Sequence, residues 1–176
     1  MNHTAIYERL QHVKFRIGVV TLSDRASQGI YEDKSGMLIQ EILTSFFKEN
    51  GLDITFEYRI IPDDKEMLHT TLTGLIADSC QYIFTTGSTG IGPRDIAPDV
   101  IKSIIEKEIP GIMEYIRVKY GAIIPNALLS RSIAGVAEQT IIYALPGSPK
   151  AVKEYLDEIL RILLHSYLML TAVDVH

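Results

Sequence analysis

Thr86-Gly87-Ser88-Thr89-Gly90 is a short run of glycines and hydroxyls suited to holding an anion. Glycine lets the main chain turn tightly and come close to a ligand. Successive N–H groups in such a turn make a concave nest for negative charge. The hydroxyls of Ser88 and Thr89 add donors, so the segment is a candidate phosphate cradle. The competing reading is an ordinary tight turn whose hydroxyls serve solubility. Two acidic positions stand nearby in pattern, Asp63 in Pro62-Asp63-Asp64 and Asp95 in Pro93-Arg94-Asp95. Carboxylates beside a phosphate repel it unless a cation lies between them. Mg²⁺ is the expected cation, because it takes one or two carboxylates together with phosphate oxygens and water. Against this, Asp63 or Asp64 would equally cap a following helix, Asp64 being the better pure cap, and Asp95 would equally pair with Arg94.

Three further segments carry small, hydroxyl or charged side chains. They are Ser23-Asp24-Arg25-Ala26-Ser27, Ser130-Arg131, and Pro146-Gly147-Ser148-Pro149-Lys150. Arg25 and Lys34 are candidates to neutralise substrate phosphate, although exposed cations are commonly only solvated. Other chemistries lack their signatures. The GxxxxGK[ST] spacing is missing, and no GxGxxG follows the first strand, which argues against a dinucleotide-dependent oxidoreductase. His3, His12, His69, His165 and His176 are scattered, and no HxxxH or CxxC spacing suggests zinc. No GxSxG elbow supports a hydrolase triad.

These segments need elements to position them, and the chain alternates strand-like and helix-like stretches. Residues 15–22 form an apolar run expected to be a buried strand. Met37, Leu38, Ile42, Leu43 and Phe46 recur at helical spacing, with Ser35 as N-cap. Residues 53–61 alternate like a second strand, and Leu68, Leu72, Leu75 and Ile76 mark a second helix. Residues 81–86 form a third strand, entering the glycine-rich turn. A helix is expected over 98–107, a break at Pro110-Gly111, and another helix over 112–120. Residues 132–136 and 140–145 suggest a hairpin around Glu138-Gln139. Val152, Leu156, Ile159 and Leu163 line one face of a last helix. This alternation predicts an α/β sandwich of three layers around a mostly parallel sheet. Ligands in such sheets bind at the carboxyl ends of the strands, where four of these segments fall, while Ser130-Arg131 precedes the hairpin within reach of the same rim.

The 176 residues suit a single domain over 1–176, with 1–13 as a loosely ordered N-terminal extension. Hydrophobic residues make up 47%, enough for a sizeable core. The net charge of -5 leaves no basic footprint for nucleic acid. Residues 1–11 lack the apolar run of a secretory signal. Residues 159–173 are apolar but interrupted by Arg161, His165, Ser166 and Thr171, so they read as the end of a packed helix or a subunit contact rather than a membrane span. The lone Cys80 cannot make an internal disulfide, which suits a cytoplasmic protein, and it reads as a buried structural thiol.

Five segments in this order, SDRASQGIYEDKSG (23–36), IPDD (61–64), TTGSTGIGPRDIAPD (85–99), LLSRSIAGV (128–136) and LPGSPKAV (145–152), closely resemble the molybdopterin adenylyltransferase family of molybdenum cofactor biosynthesis. The resemblance implies that family's α/β fold and a homotrimer. It implies Mg²⁺-dependent transfer of the AMP moiety of ATP to the terminal phosphate of molybdopterin. Hand-over to a molybdate-inserting enzyme would follow. It places catalytic and metal-binding roles on Asp63 and Asp95. Substrate contacts fall on Ser23, Asp24, Arg25, Thr86, Gly87, Ser88, Thr89, Gly90, Ser130, Arg131, Pro146 and Gly147. A non-catalytic molybdopterin-binding branch of the same fold is the alternative, and it tends to lose the acid found here as Asp63. A domain of a larger scaffold protein is a more distant one. The family's turn commonly reads TTGGTG, whereas this chain has Ser88 at the second glycine. The expectation is that this position does not require positive φ and that the serine adds its hydroxyl to the cradle.

Overall fold

The computed structural model describes residues 10–171. Six strands form one sheet in the order β2-β1-β3-β6-β5-β4. Strands β1 (Lys14–Leu22), β2 (Asp53–Ile61), β3 (Tyr82–Thr86) and β6 (Thr140–Leu145) run parallel. At the far edge β5 (Ala134–Ala137) and β4 (Lys107–Glu108) run antiparallel. The α/β class, the parallel sheet and the hairpin at Glu138-Gln139 are as the alternation predicts.

Side chains of the central strands alternate between two cores, because successive residues of a strand point to opposite faces. On one face Phe15, Ile17, Val19, Tyr82, Phe84 and Tyr143 pack against α2 (Lys34–Glu49), α5 (Pro110–Gly121), α6 (Pro149–Ile159) and α7 (Leu163–Leu170). On the other, Val20, Leu22, Ile83, Ile142 and Ala144 meet α3 (Lys65–Ala77) and α4 (Ala97–Ile104). Short α1 (Asp24–Ser27) follows β1 directly, and a 3₁₀ turn (Pro125–Leu129) follows α5. Strand β2 lies at the open edge, where Arg16 bonds Glu57 at 2.7 Å; charge on an edge strand discourages pairing with another chain.

Several boundaries differ from expectation, each for a physical reason. Helix α2 is capped by Asp33, whose carboxylate accepts the N–H groups of Ser35 and Gly36, so Ser35 is not the N-cap. Its buried stripe is Ser35, Gly36, Ile39, Leu43 and Phe47, while Met37 is exposed. Helix α4 stops at Ile104 because Lys107 and Glu108 pair with Val136 and Gly135 as β4. Pro110 opens α5 instead of preceding it, where its missing N–H costs nothing. The last helix is two: the chain breaks at Leu160–Ile162, so that Leu163, Leu164 and Leu168 turn into the core. Residues 172–173 of that apolar stretch lie outside the described residues, as do His3 and His176. Leu10, within the stretch expected to be a loose extension, is buried. No helix among the described residues is long and apolar enough to cross a membrane.

Cys80 is buried, and burial pushes its thiol up to about 11. The thiolate is the reactive species. Native protein at pH 8 is therefore expected to resist a thiol reagent that labels the urea-unfolded chain at once, which a colorimetric thiol assay would check.

Candidate active site

Parallel register brings Leu22, Ile61, Thr86 and Leu145 to one edge of the sheet, where each strand releases a polar loop. These loops are tied to one another. Thr86 Oγ1 donates to Pro146 O at 2.8 Å, and Ser35 Oγ donates to Gly147 O at 2.8 Å. Gly87 N–H donates to Leu145 O at 3.0 Å. A Cβ on Gly147 would lie 3.2 Å from Gly87 Cα, so the two turns approach backbone to backbone. Gly87 itself has φ +97°, and a Cβ there would sit 2.4 Å from Leu22 O; no other residue fits.

The N–H groups of Ser88, Thr89 and Gly90 have no acceptor among the described residues. Three consecutive free donors at the rim of a parallel sheet are what an anion nest requires. Of the sequence-expected acids, Asp63 lies on the loop after β2 and Asp95 farther along the same loop as the glycine-rich turn. Asp63 follows β2, and its Oδ2 accepts the N–H of Asp24 at 3.3 Å while Asp24 Oδ1 accepts the N–H of Asp63 at 3.0 Å. Asp24 also takes Arg94 as an ion-pair partner, so Arg94 does not pair with Asp95. Asp64 caps α3 by accepting from Met67 N–H at 2.8 Å. Asp95 uses Oδ2 to accept from Gly92 N–H at 2.7 Å. One oxygen of Asp63 and one of Asp95 thus remain without a protein partner among the described residues.

That donor set fits a Mg²⁺ ion arriving with its substrate. Among the described residues no three His, Cys, Asp or Glu side chains converge into a preformed cage. Mg²⁺ needs none when polyphosphate oxygens and water complete its shell around one or two carboxylates.

The remaining candidates divide between solvent and structure. Ser23 caps α1 and shares a 2.7 Å hydrogen bond with Tyr31. Arg25 is exposed and stands 5.3 Å over the Tyr31 ring. Ser130 shares hydrogen bonds with Ser132 at 2.9 Å and Tyr155 at 3.2 Å. Arg131 directs its guanidinium to Gly90 O at 2.7 Å, to Asp95 O, and to both oxygens of the exposed Asp99 at 2.9 and 3.0 Å.

Two clefts flank the glycine-rich turn. The less apolar one, of about 360 Å³, is walled by Ser23, Tyr31, Asp33, Lys34, Ser35 and Gly147. A more apolar one of about 370 Å³ is walled by Thr89, Ile91, Tyr120, Leu129, Pro146 and Tyr155. Asp33 is the residue that sequence reasoning missed. It is buried, caps α2, and accepts further hydrogen bonds from Thr21 Oγ1 at 2.5 Å and Tyr58 Oη at 2.6 Å. Burial first, and the Asp33 carboxylate second, raise the Tyr58 phenol well above its ordinary value. The available signal is an aspartate ahead of the helical pattern, a preferred N-cap type.

Residues 18–166 match a protein family described as "Probable molybdopterin binding domain". This chain belongs to that family. Its relatives include a molybdopterin adenylyltransferase of Helicobacter pylori (strain J99), 39% identical over 81% of this chain and 80% of the relative. The Escherichia coli (strain K12) molybdopterin adenylyltransferase is 40% identical over 81% of this chain and 72% of its own length. The crystal structure of the molybdopterin biosynthesis enzyme MoaB from Thermus thermophilus superposes with TM-score 0.81 at 33% identity, covering 90% of this chain and 97% of that one.

This family member corrects one expectation about its own glycine-rich turn. Ser88 has φ +58°, so the position does require the left-handed region. A non-glycine residue there costs roughly 1–2 kcal/mol. The hydroxyl is spent on the loop itself: it donates to Arg94 O at 2.8 Å and accepts from Ile96 N–H at 2.9 Å. Ser88→Ala keeps the strained backbone and loses both bonds. Stability is expected to fall by about 1–2 kcal/mol, read from the urea midpoint at unchanged slope.

Proposed function

We propose that this protein transfers the AMP moiety of ATP to the terminal phosphate of molybdopterin, giving adenylated molybdopterin and pyrophosphate. The observation that carries the proposal is the row of free N–H donors on Ser88, Thr89 and Gly90, in the same loop as Asp95, together with the uncommitted carboxylate oxygens of Asp95 and of Asp63 on the loop after β2. The relatives named molybdopterin adenylyltransferase support the same reaction.

An oxygen of the molybdopterin phosphate attacks the α-phosphorus of ATP, the bond to the bridging oxygen of the β-phosphate breaks, and pyrophosphate leaves with that oxygen. The attacking phosphate is already a competent nucleophile, so no strong protein base is needed. Catalysis is then positioning plus charge stabilisation. The turn at 87–90 holds phosphate through its main chain, with Ser23, Asp24, Arg25, Thr86, Ser130, Pro146 and Gly147 lining the rim around it. Asp63 and Asp95 would hold Mg²⁺, which when bound would supply positive charge to offset that of the polyphosphate.

A homotrimer, a cytoplasmic location and delivery of the adenylate to a molybdate-inserting enzyme belong to the same proposal. Exposed Tyr115, Val118, Ile123, Leu128 and Leu129 on α5 and the turn after it are the apolar surface that supports assembly. The C-terminal helix, by contrast, spends its leucines on its own core.

The decisive assay mixes purified protein with molybdopterin, ATP and Mg²⁺, with Asp63→Ala in parallel. Adenylate and pyrophosphate from the unaltered chain alone establish the transferase and place Asp63 in its site. Molybdopterin binding without product would identify the non-catalytic branch instead.

A further inference from the structure

Arg131 sits where a phosphate ligand is expected, yet four of its five guanidinium donors are committed to protein acceptors. A guanidinium has five N–H donors in a fixed plane. Here the Nε–H goes to Gly90 O, Nη2 to Asp95 O, and Nη1 to the Asp99 carboxylate. The main-chain N–H of Arg131 also donates to Thr89 O at 2.8 Å. The two carbonyls lie at the two ends of the loop that carries Asp95. Asp99 balances the positive charge, which leaves a weak attraction for an incoming anion. From the opposite flank Ser88 bonds Arg94 O and Ile96 N–H, and its carbonyl accepts from Ala97 N–H at 3.1 Å. The main chain on both sides of Asp95 is therefore fixed twice, by side chains from different elements.

We propose that Arg131 is a positioning residue: it fixes the glycine-rich turn and Asp95 in register, and it is not a ligand for substrate phosphate. The inference rests on the adenylyltransferase reading for its kinetic consequence and on geometry alone for its structural one. Only a planar fork can meet two carbonyls and a carboxylate together; lysine keeps the charge but is a single point donor. The conservative substitution therefore separates the two roles.

The experiment compares the unaltered protein with Arg131→Lys, Arg131→Met and Asp99→Asn. Amide hydrogen exchange of Gly92, Asp95 and Ile96, whose N–H groups are bonded within the loop, is measured without ligand, pyrophosphate affinity by calorimetry, and kcat and KM for ATP by product formation. Positioning predicts faster exchange in the loop and a kcat lowered by about tenfold to a hundredfold, because a misplacement of ~1 Å suffices for that. Lysine should be as poor as methionine in kcat, and any loss of pyrophosphate affinity should be equal in the two variants, because the turn that holds phosphate loosens alike in both. A kcat retained by Arg131→Lys with KM raised in Arg131→Met would overturn the proposal. Asp99→Asn gives an independent sign should the Arg131 variants fail to fold. Freeing a phosphate-binding guanidinium would tighten pyrophosphate binding, whereas a positioning guanidinium gives no gain and a looser loop. If the unaltered protein makes no adenylate, the reaction assigned above fails. The exchange measurement still decides the role of Arg131, and unchanged exchange in Arg131→Lys sinks it.

Discussion

Asp95→Asn is expected to reduce adenylate formation by at least about a hundredfold while the thermal midpoint moves by no more than about 2 °C. Asparagine keeps an amide oxygen able to accept from Gly92 N–H, the contact that Asp95 Oδ2 makes at 2.7 Å. The main-chain bonds around the position, from Arg131 to Asp95 O and from Asp95 N–H to Gly92 O, do not involve the side chain. The negative charge is what changes, and with it the proposed means of holding Mg²⁺. Stopped-time assays of pyrophosphate release, set beside a thermal melt of the same preparation, make the comparison. Equal loss of folding and activity would mark Asp95 as a loop brace only.

Asp33→Ala is expected to destabilise the protein by about 3 kcal/mol, more than the loss expected for Ser88→Ala. The carboxylate accepts from Ser35 N–H, Gly36 N–H, Thr21 Oγ1 and Tyr58 Oη. Alanine removes the helix cap, about 1 kcal/mol, and strands buried donors at about 1–3 kcal/mol more. Relief of the desolvation cost of the carboxylate offsets part of this, which keeps the figure near the middle of the range. Urea unfolding checks it, and a change below about 1 kcal/mol would show that water replaces the carboxylate without penalty. Asp33→Asn, retaining a capping oxygen, should lie between the two.

The parts of this molecule legible in its sequence are those set by local pattern. The strands at 53–61 and 140–145 are legible to the residue, because their apolar and β-branched side chains form compact runs bounded by turn residues. The gathering of polar loops at one sheet edge follows from parallel connection alone. What escapes depends on partners distant in the chain. Between Asp33 and Ser35 as helix cap, local chemistry is nearly neutral. Thr21 and Tyr58, from two strands, decide for the aspartate. Arg94 has Asp95 as its neighbour in sequence, but its partner is Asp24, seventy residues away. The break between α6 and α7 has no glycine or proline to announce it; the core beneath takes Leu163 and Leu164 only if the helix stops and turns. Ser88 is the reverse case, a visible departure whose conformational cost local pattern understates, because its compensating bonds reach six and eight residues along the chain.

The hydrogen bonds that knit the rim, Thr86 to Pro146 and Ser35 to Gly147, close loops of 60 and 112 residues. Closing a loop of that length is among the slower and entropically costlier events in folding. No fragment ending before β6 contains the rim, so ligand affinity requires a chain that extends through Gly147. Mass action then couples the two equilibria: a polyphosphate present at a hundred times its dissociation constant raises the unfolding free energy by about 2.7 kcal/mol. Supply of nucleotide would in that way set how long the chain survives proteolysis, as well as how fast it turns over.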